Sequence, residues 1–456
     1  MTQLLNQPFA ANRRQFLAGT SSAFAALIAS GCTMNSGGPS TSMQASGWTG
    51  YGPLMPDPEG VLDLPEGFSY RVVSKLGDAM SDGGTVPDKA DGMGCFDLGD
   101  GKLALVRNHE MVASDDAGAE LTSGFGTHNG KVLPGGTTTI VLDAGTLAVE
   151  NEYRSLAGTI RNCSGGITPW GSWLTCEEAP TGPGQRYGDG LARNHGWVFE
   201  VPADAGGLVD PVPLTEMGRF NHEAACVDPA TGIVYMTEDA NDSLFYRFIP
   251  KVPGQLAQGG KLQALMLTDG IRDSRNWEGT AMAVGEAHAV GWIDMDDVES
   301  PNNDLRQRGA AGGGLLIARG EGLHMGLDEK GSELYICSTS GGAAGLGQIF
   351  RLRPAADGGA DQFDLFFEST SPDQFNFGDN LCVGPNGHLV VCEDQYTDVV
   401  ANHLRGLTPA GEAYPLGFLR LQTEPAGACF SPDGKTMFVN AYSPTMTLAV
   451  TGPWAA

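Results

Sequence analysis

One pattern recurs along this chain: an apolar run, a glycine-containing turn, a second apolar run, then a polar residue. Short apolar runs bounded by Gly, Pro, Asp and Asn are the signature of strands joined by tight turns. The turn glycines are Gly101 (LGDGKLALVRN), Gly171 (PWGSWLTCEE), Gly232 (DPATGIVYMTED), Gly331 (DEKGSELYICST), Gly387 (GPNGHLVVCED) and Gly434 (SPDGKTMFVNA). Most intervals fall near the roughly 40–50 residues of a four-stranded propeller blade or somewhat above it. The interval from Gly232 to Gly331 is much longer and contains a polar, charge-rich stretch, Val252 to Gly313, read as an insertion. These spacings predict an all-β fold, a six-bladed β-propeller over residues 60–456 with an insertion at about 252–313. The segment Leu64 to Leu76 (FSYRVVSKL) reads as a strand that pairs with the C-terminal strands near Thr445 to Val450, so that no open edge is left.

Aligned on the turn glycines, the copies share two polar columns. Six residues after each marker stand Arg107, Glu177, Glu238, Cys337, Glu393 and Asn440. With one residue of slack in the first and fourth copies, Asn108 and Ser338 replace Arg107 and Cys337, and every member then carries a side-chain oxygen. Such slack turns a strand side chain to the other face, so those copies are the weakest members. Eight to ten residues before the marker stand Asp91, Cys163, Glu223, Glu321, Asp379 and Glu424. A chain that descends one strand and climbs the next returns to its starting end. Both columns are therefore expected at one mouth of a central channel. A single carboxylate at a strand end is ordinarily a solvated loop residue; a shared register over six copies points to a ring-shaped site. Cys176 and Cys392 each precede a column glutamate. Alternation turns them away from it, and they read, like Cys226, Cys382 and Cys429, as small buried hydrophobes. Cys163 differs, since it lies in the loop Asn162-Cys163-Ser164-Gly165-Gly166.

The formal net charge of -27 excludes the basic footprint that nucleic acids require. Acidity on this scale serves solubility, or holds hard cations such as calcium. At the N-terminus, Arg13 and Arg14 precede Gln15-Phe16-Leu17 and a short apolar stretch, Ala23 to Ala29, too short to span a bilayer. Residues 13–32 resemble a twin-arginine export signal, which implies the twin-arginine machinery as a partner and a periplasmic or extracellular location. Ala29-Ser30-Gly31-Cys32 resembles a lipoprotein cleavage site, with Cys32 as a candidate lipid anchor, and residues 33–50 read as a flexible tether.

Crowded carboxylates cannot all stay ionised unless cations sit among them. Oxygen clusters suit calcium or magnesium, whereas a thiolate suits iron or zinc. Cys163 with Glu223 and Glu321 therefore suggests a transition metal beside hard cations. His109 and His222, each before a glutamate, fit hydrogen-bonding roles as well as ligation. Arg319, two residues before Glu321, reads as an anion clamp or as an ion pair that balances the carboxylates. No P-loop, GxSxG elbow, HExxH helix or nucleotide-binding βαβ unit is present, which leaves metal-assisted hydrolysis.

At VRNHE (Val106 to Glu110), NCSGGITPWGSWLTCEE (Asn162 to Glu178), GRFNHEAACVDPATGIVYMTED (Gly218 to Asp239), ARGEG (Ala318 to Gly322) and DNLCVGPNGHLVVCED (Asp379 to Asp394), the chain resembles the PhoX-type alkaline phosphatases. These are exported bacterial phosphatases with a six-bladed propeller, an iron pair and several calcium ions. The resemblance implies iron ligation by Cys163, Glu223 and Glu321. It implies calcium or supporting roles for Glu110, Glu177, Glu178, Glu238, Asp239, Asn380, Glu393 and Asp394. It also implies a phosphate-holding role for Arg319 and hydrolysis of a small phosphorylated substrate by a monomer. The chain is shorter than the best-known members, and 252–313 does not match their insertions. The alternatives are a calcium-dependent lactonase or phosphodiesterase on the same scaffold, and a non-catalytic, calcium-stabilised surface propeller.

Overall fold

The turn glycines mark where the chain reverses. In the computed structural model, which describes residues 49–328, 331–355 and 358–454, the fold is all-β with one short α-helix, Leu305–Ala311, and two single-turn 3-10 helices among those residues. The export signal, Cys32 and nearly all of the tether lie outside these residues. Gly101, Gly171, Gly232, Gly387 and Gly434 sit at φ between +70° and +86°, a left-handed conformation open to glycine because it has no Cβ. Each of the five turns an inner strand into an antiparallel partner: Ala90–Gly99 into Lys102–His109, Asn162–Ile167 into Ser172–Glu177, His222–Val227 into Val234–Glu238, Gly378–Val383 into Leu389–Glu393, and Pro425–Phe430 into Thr436–Ala441. A further hairpin pairs Gly320–Asp328 with Gly331–Ser338.

The inner strands neighbour one another around a closed ring in chain order, with Pro425–Phe430 back against Ala90–Gly99. Outer strands extend each hairpin into a sheet, in a propeller-like arrangement. Buried apolar clusters fill the gaps between neighbouring sheets. Leu174, Met236 and Tyr246 pack between the second and third, for example, and Cys95, Leu105 and Phe438 between the last and first. Cys176, Cys226, Cys382, Cys392 and Cys429 are buried in these clusters, as the alternation required.

Within the stretch 252–313, Gly260–Leu267 is an outer strand of the third sheet. Ala287–Asp294 pairs with it and also with Gln362–Glu368, so the third and fourth sheets join at their outer edges. Closure is by both ends of the chain: Ser69–Lys75 pairs with Met446–Thr451, the pairing expected above. One side chain ties the closing sheet to the first. Arg107, fully buried, donates to Ser74 (3.1 Å) and Thr447 (2.6 Å) of the closing sheet, and to Thr138 (3.1 Å) and Glu152 (2.9 Å) of the first. Removing one partner of a buried pair leaves the other charge uncompensated. Arg107→Met is therefore expected to cost about 3–5 kcal/mol in urea unfolding, with part recovered when Glu152→Gln is added; a loss below about 1 kcal/mol would mean that closure does not depend on this pair.

Candidate metal centre

Every inner strand carries a β-bulge near its first residues. In five of the six, the bulge starts at Asp91, Cys163, Glu223, Glu321 or Asp379, where two residues oppose one on the partner strand. A bulge bends its strand and re-aims a side chain, and here it brings the second column together. In the sixth hairpin the bulge falls at Gly427-Ala428, so Glu424 stands at the strand entrance and not on the bulge. Neighbouring sheets pin three of these bulges. Asn108 Nδ2 donates to the carbonyls of Cys163 (3.0 Å) and Ser164 (2.7 Å), Thr237 Oγ1 to that of Glu321 (2.6 Å), and Asn440 Nδ2 to that of Asp91 (2.7 Å). The strands lie so close that a Cβ at Gly92 would stand 2.6 Å from Ser164 Cα, and one at Gly322 2.5 Å from Leu381 N.

Three overlapping triads result: Asp91, Glu110 and Cys163; Cys163, Glu178 and Glu223; Glu223, Glu321 and Asp379. Within each, the ligand atoms lie within 4.8 Å of one another. Cys163 and Glu223 are shared, and Cys163 Sγ stands 3.6 Å from Asp91 Oδ2. Glu223 is fully buried, and among the described residues neither of its carboxylate oxygens has a hydrogen-bond partner. A carboxylate left so is costly unless a proton or a cation satisfies it. One thiol among many carboxylates fits a transition metal beside hard cations.

Two arginines stand in this acidic surround at equivalent places, each two residues before a bulge and each in the left-handed region (Arg161 φ 50°, Arg319 φ 53°). Arg161 pairs with Glu110 (2.7 Å) and Glu178 (2.5 Å), and Arg319 with Asp239 (2.8 Å) and Glu321 (2.8 Å). Among the described residues no protein acceptor meets Nη1 of either. The remaining acids feel the crowding. Burial, then the neighbouring negative groups, pushes Asp91, Cys163 and Glu223 well above their ordinary values. Burial does the same to Glu178 and Glu321 against the pull of the arginines. Asp379 rises to about 7, through burial and then Asp394. Burial also works to raise Asp239, yet the Arg319 guanidinium holds it below the usual carboxylate range.

The model of the family described as alkaline phosphatase PhoX matches residues 49–445. The chain belongs to the PhoX family. Among solved structures it is similar to Pseudomonas fluorescens PhoX in complex with vanadate, at 19% identity over 86% of this chain and 96% of that one, with a TM-score of 0.66. A gluconolactonase from Xanthomonas campestris matches more loosely, at 16% identity over 89% and 99% of the two chains, with a TM-score of 0.39. No curated protein matches the chain.

In this PhoX chain the expected site residues divide into two groups. Cys163, Glu223, Glu321, Glu110 and Glu178 come together in the triads. Asp239 joins through Arg319, and Asn380 donates to Asp379 at 2.8 Å. Asp394 acts electrostatically on both Asp379 and Glu424. Glu177, Glu238 and Glu393 are not brought in, because strand alternation turns each away from the residue after it. Glu177 accepts from His195 (2.6 Å) and the N–H groups of Ile160 and Gly196; Glu238 accepts from Tyr246 (2.9 Å); Glu393 accepts from Arg405 (2.7 Å). His109 and His222 bond to carbonyls at Asp88 and Gly218 and lie outside the triads. Asp379 and Asp91, present in the second column, belong to the cluster without having been singled out as ligands. Arg161 was not foreseen; its only signal was its place two residues before Cys163, matching Arg319 before Glu321.

The raised carboxylates mean that the metal-stripped folded state holds more protons than the unfolded chain between about pH 4 and pH 7. Stability should therefore fall as pH rises through that window. Chelated protein is expected to melt about 5 °C or more lower at pH 8 than at pH 5, and added divalent or trivalent cation should restore it; a melting temperature that rises with pH in the chelated protein would contradict the cluster.

Proposed function

We propose that this chain is a phosphomonoesterase acting outside the cytoplasm, built on a six-bladed β-propeller with its site at one mouth of the channel. Support comes from family membership, from the ring of six inner strands, and above all from one observation. The buried Glu223 carboxylate, without a hydrogen-bond partner among the described residues, stands beside Cys163 in a cluster bordered by two arginines whose Nη1 groups meet no acceptor among those residues. The PhoX relative from Pseudomonas fluorescens was solved with vanadate, a transition-state analogue.

Iron would be held by Cys163, Glu223 and Glu321, with calcium among Glu110, Glu178, Asp239, Asn380 and Asp394. Bound there, the metals would supply Lewis acidity toward phosphoryl oxygens and toward water, and positive charge to an otherwise repulsive mouth. The chain's own residues do the rest. Glu178 lies close enough to feel both Arg161 and Arg319, so the two guanidiniums border one acidic pair, Glu178 and Asp239. Their ion pairs fix their planes, and the free Nη1 groups remain to donate to a phosphoryl group. These donors are held in place before substrate arrives, which is what stabilises charge that grows in the transition state. Export through the twin-arginine route, retention by lipid at Cys32 and a monomeric state belong to the same reading.

With iron and calcium present, the protein should turn over p-nitrophenyl phosphate and contain both metals by elemental analysis. Cys163→Ala is expected to lose iron and at least ~100-fold in kcat, and Arg319→Lys to lose ~10-fold or more in kcat/KM because the fork is gone. An inactive wild type, or a fully active Cys163→Ala, would overturn the reading.

A further inference from the structure

Tyr396 stands at the mouth with no evident part in holding the fold. It lies two residues beyond Asp394, in the loop after Leu389–Glu393, and the residue is 56% exposed. Two contacts orient it nonetheless. The Arg319 guanidinium carbon lies 5.2 Å from the ring centroid, and Nη2 donates to the phenol oxygen at 3.1 Å. Phe377 meets the ring edge-on at 5.9 Å, and the Phe377 carbonyl is held by the Asp394 N–H at 2.8 Å.

A phenol oxygen that accepts from a guanidinium must turn its own hydrogen elsewhere. Among the described residues nothing accepts it. The nitrogen that donates to Tyr396 shares its two hydrogens with Glu321 at 2.8 Å and Asp239 at 3.0 Å, so this unused donor hangs within one guanidinium's reach of the cluster. It sits beside the free Nη1 of Arg319. Arg319 thus has one arm for the phosphoryl group and one that fixes a second donor beside it.

Building on the phosphatase reading, we infer that Tyr396 donates a hydrogen bond to the ester oxygen of the substrate and so determines which leaving groups the enzyme accepts. As the P–O bond breaks, its electron pair passes to the ester oxygen, and the Tyr396 hydroxyl offsets the charge that grows there. Water provides the proton that completes the alcohol, and its oxygen becomes the fourth oxygen of the released phosphate. An ester of a strongly acidic phenol develops little demand for this bond; an alkyl ester develops the most.

The test is Tyr396→Phe, which keeps the ring against Arg319 and removes only the hydroxyl. kcat is measured on the metal-loaded enzyme with p-nitrophenyl, phenyl and glycerol phosphate. The expected loss grows along that series, from about threefold to about 100-fold, while melting temperature, metal content and inhibition by inorganic phosphate stay as in the wild type. An equal loss with all three substrates, a loss confined to KM, or no loss at all would overturn the assignment of Tyr396 while leaving the phosphatase reading intact. A wild type that hydrolyses none of the three would bring down both.

Discussion

Seven acidic groups, Asp91, Glu110, Cys163, Glu178, Glu223, Glu321 and Asp379, meet near the starts of the inner strands. Two like charges at about 4 Å repel by about 4 kcal/mol even at an effective dielectric of 20, so such a cluster holds only if something neutralises it. Arg161 and Arg319 supply two positive charges. Protons or cations must supply the others, and the raised titration of Glu223, Glu321 and Asp379 is the same demand seen from the acid's side.

The rest of the molecule can be understood as the frame that resists this repulsion. Ring closure leaves no terminal sheet free to splay, and apolar clusters lock each pair of neighbouring sheets. Arg107 secures the seam where the two ends of the chain meet. At the mouth, Asn108, Thr237 and Asn440 reach from one sheet to hold the bulge carbonyls of the next. Asp91, Cys163 and Glu321 are therefore positioned by their own strands and by their neighbours'. That shared support is how a cluster built from five sheets can hold its spacing without a rigid helix behind it.

Much of this was legible in the chain. The turn glycines marked the hairpins because a left-handed turn between apolar runs leaves few other residues, and five of them adopt that conformation. The column from Asp91 to Asp379 predicted the clustered side chains, and alternation placed the cysteines in the sheet interfaces. The glutamates of the other column were misleading. Glu177 and Glu178 look alike in sequence, yet one is consumed by His195 and backbone N–H groups, while the other joins the cluster. Only the direction in which the strand enters the mouth distinguishes them.

The chain by itself determined a repeated hairpin, a channel end rich in acids, and a thiol among them, since these follow from local spacing and from the alternation of a strand. Tertiary structure decided which acids face inward and what they meet. The bulges at Cys163 and Glu223 shift the register by one residue, and that shift depends on partner strands that no local pattern reports. It also decided the roles of Arg161 and Tyr396: one meets acids from two sheets, the other meets an arginine 77 residues away in sequence. Contacts of that range exist only once neighbouring sheets have packed together.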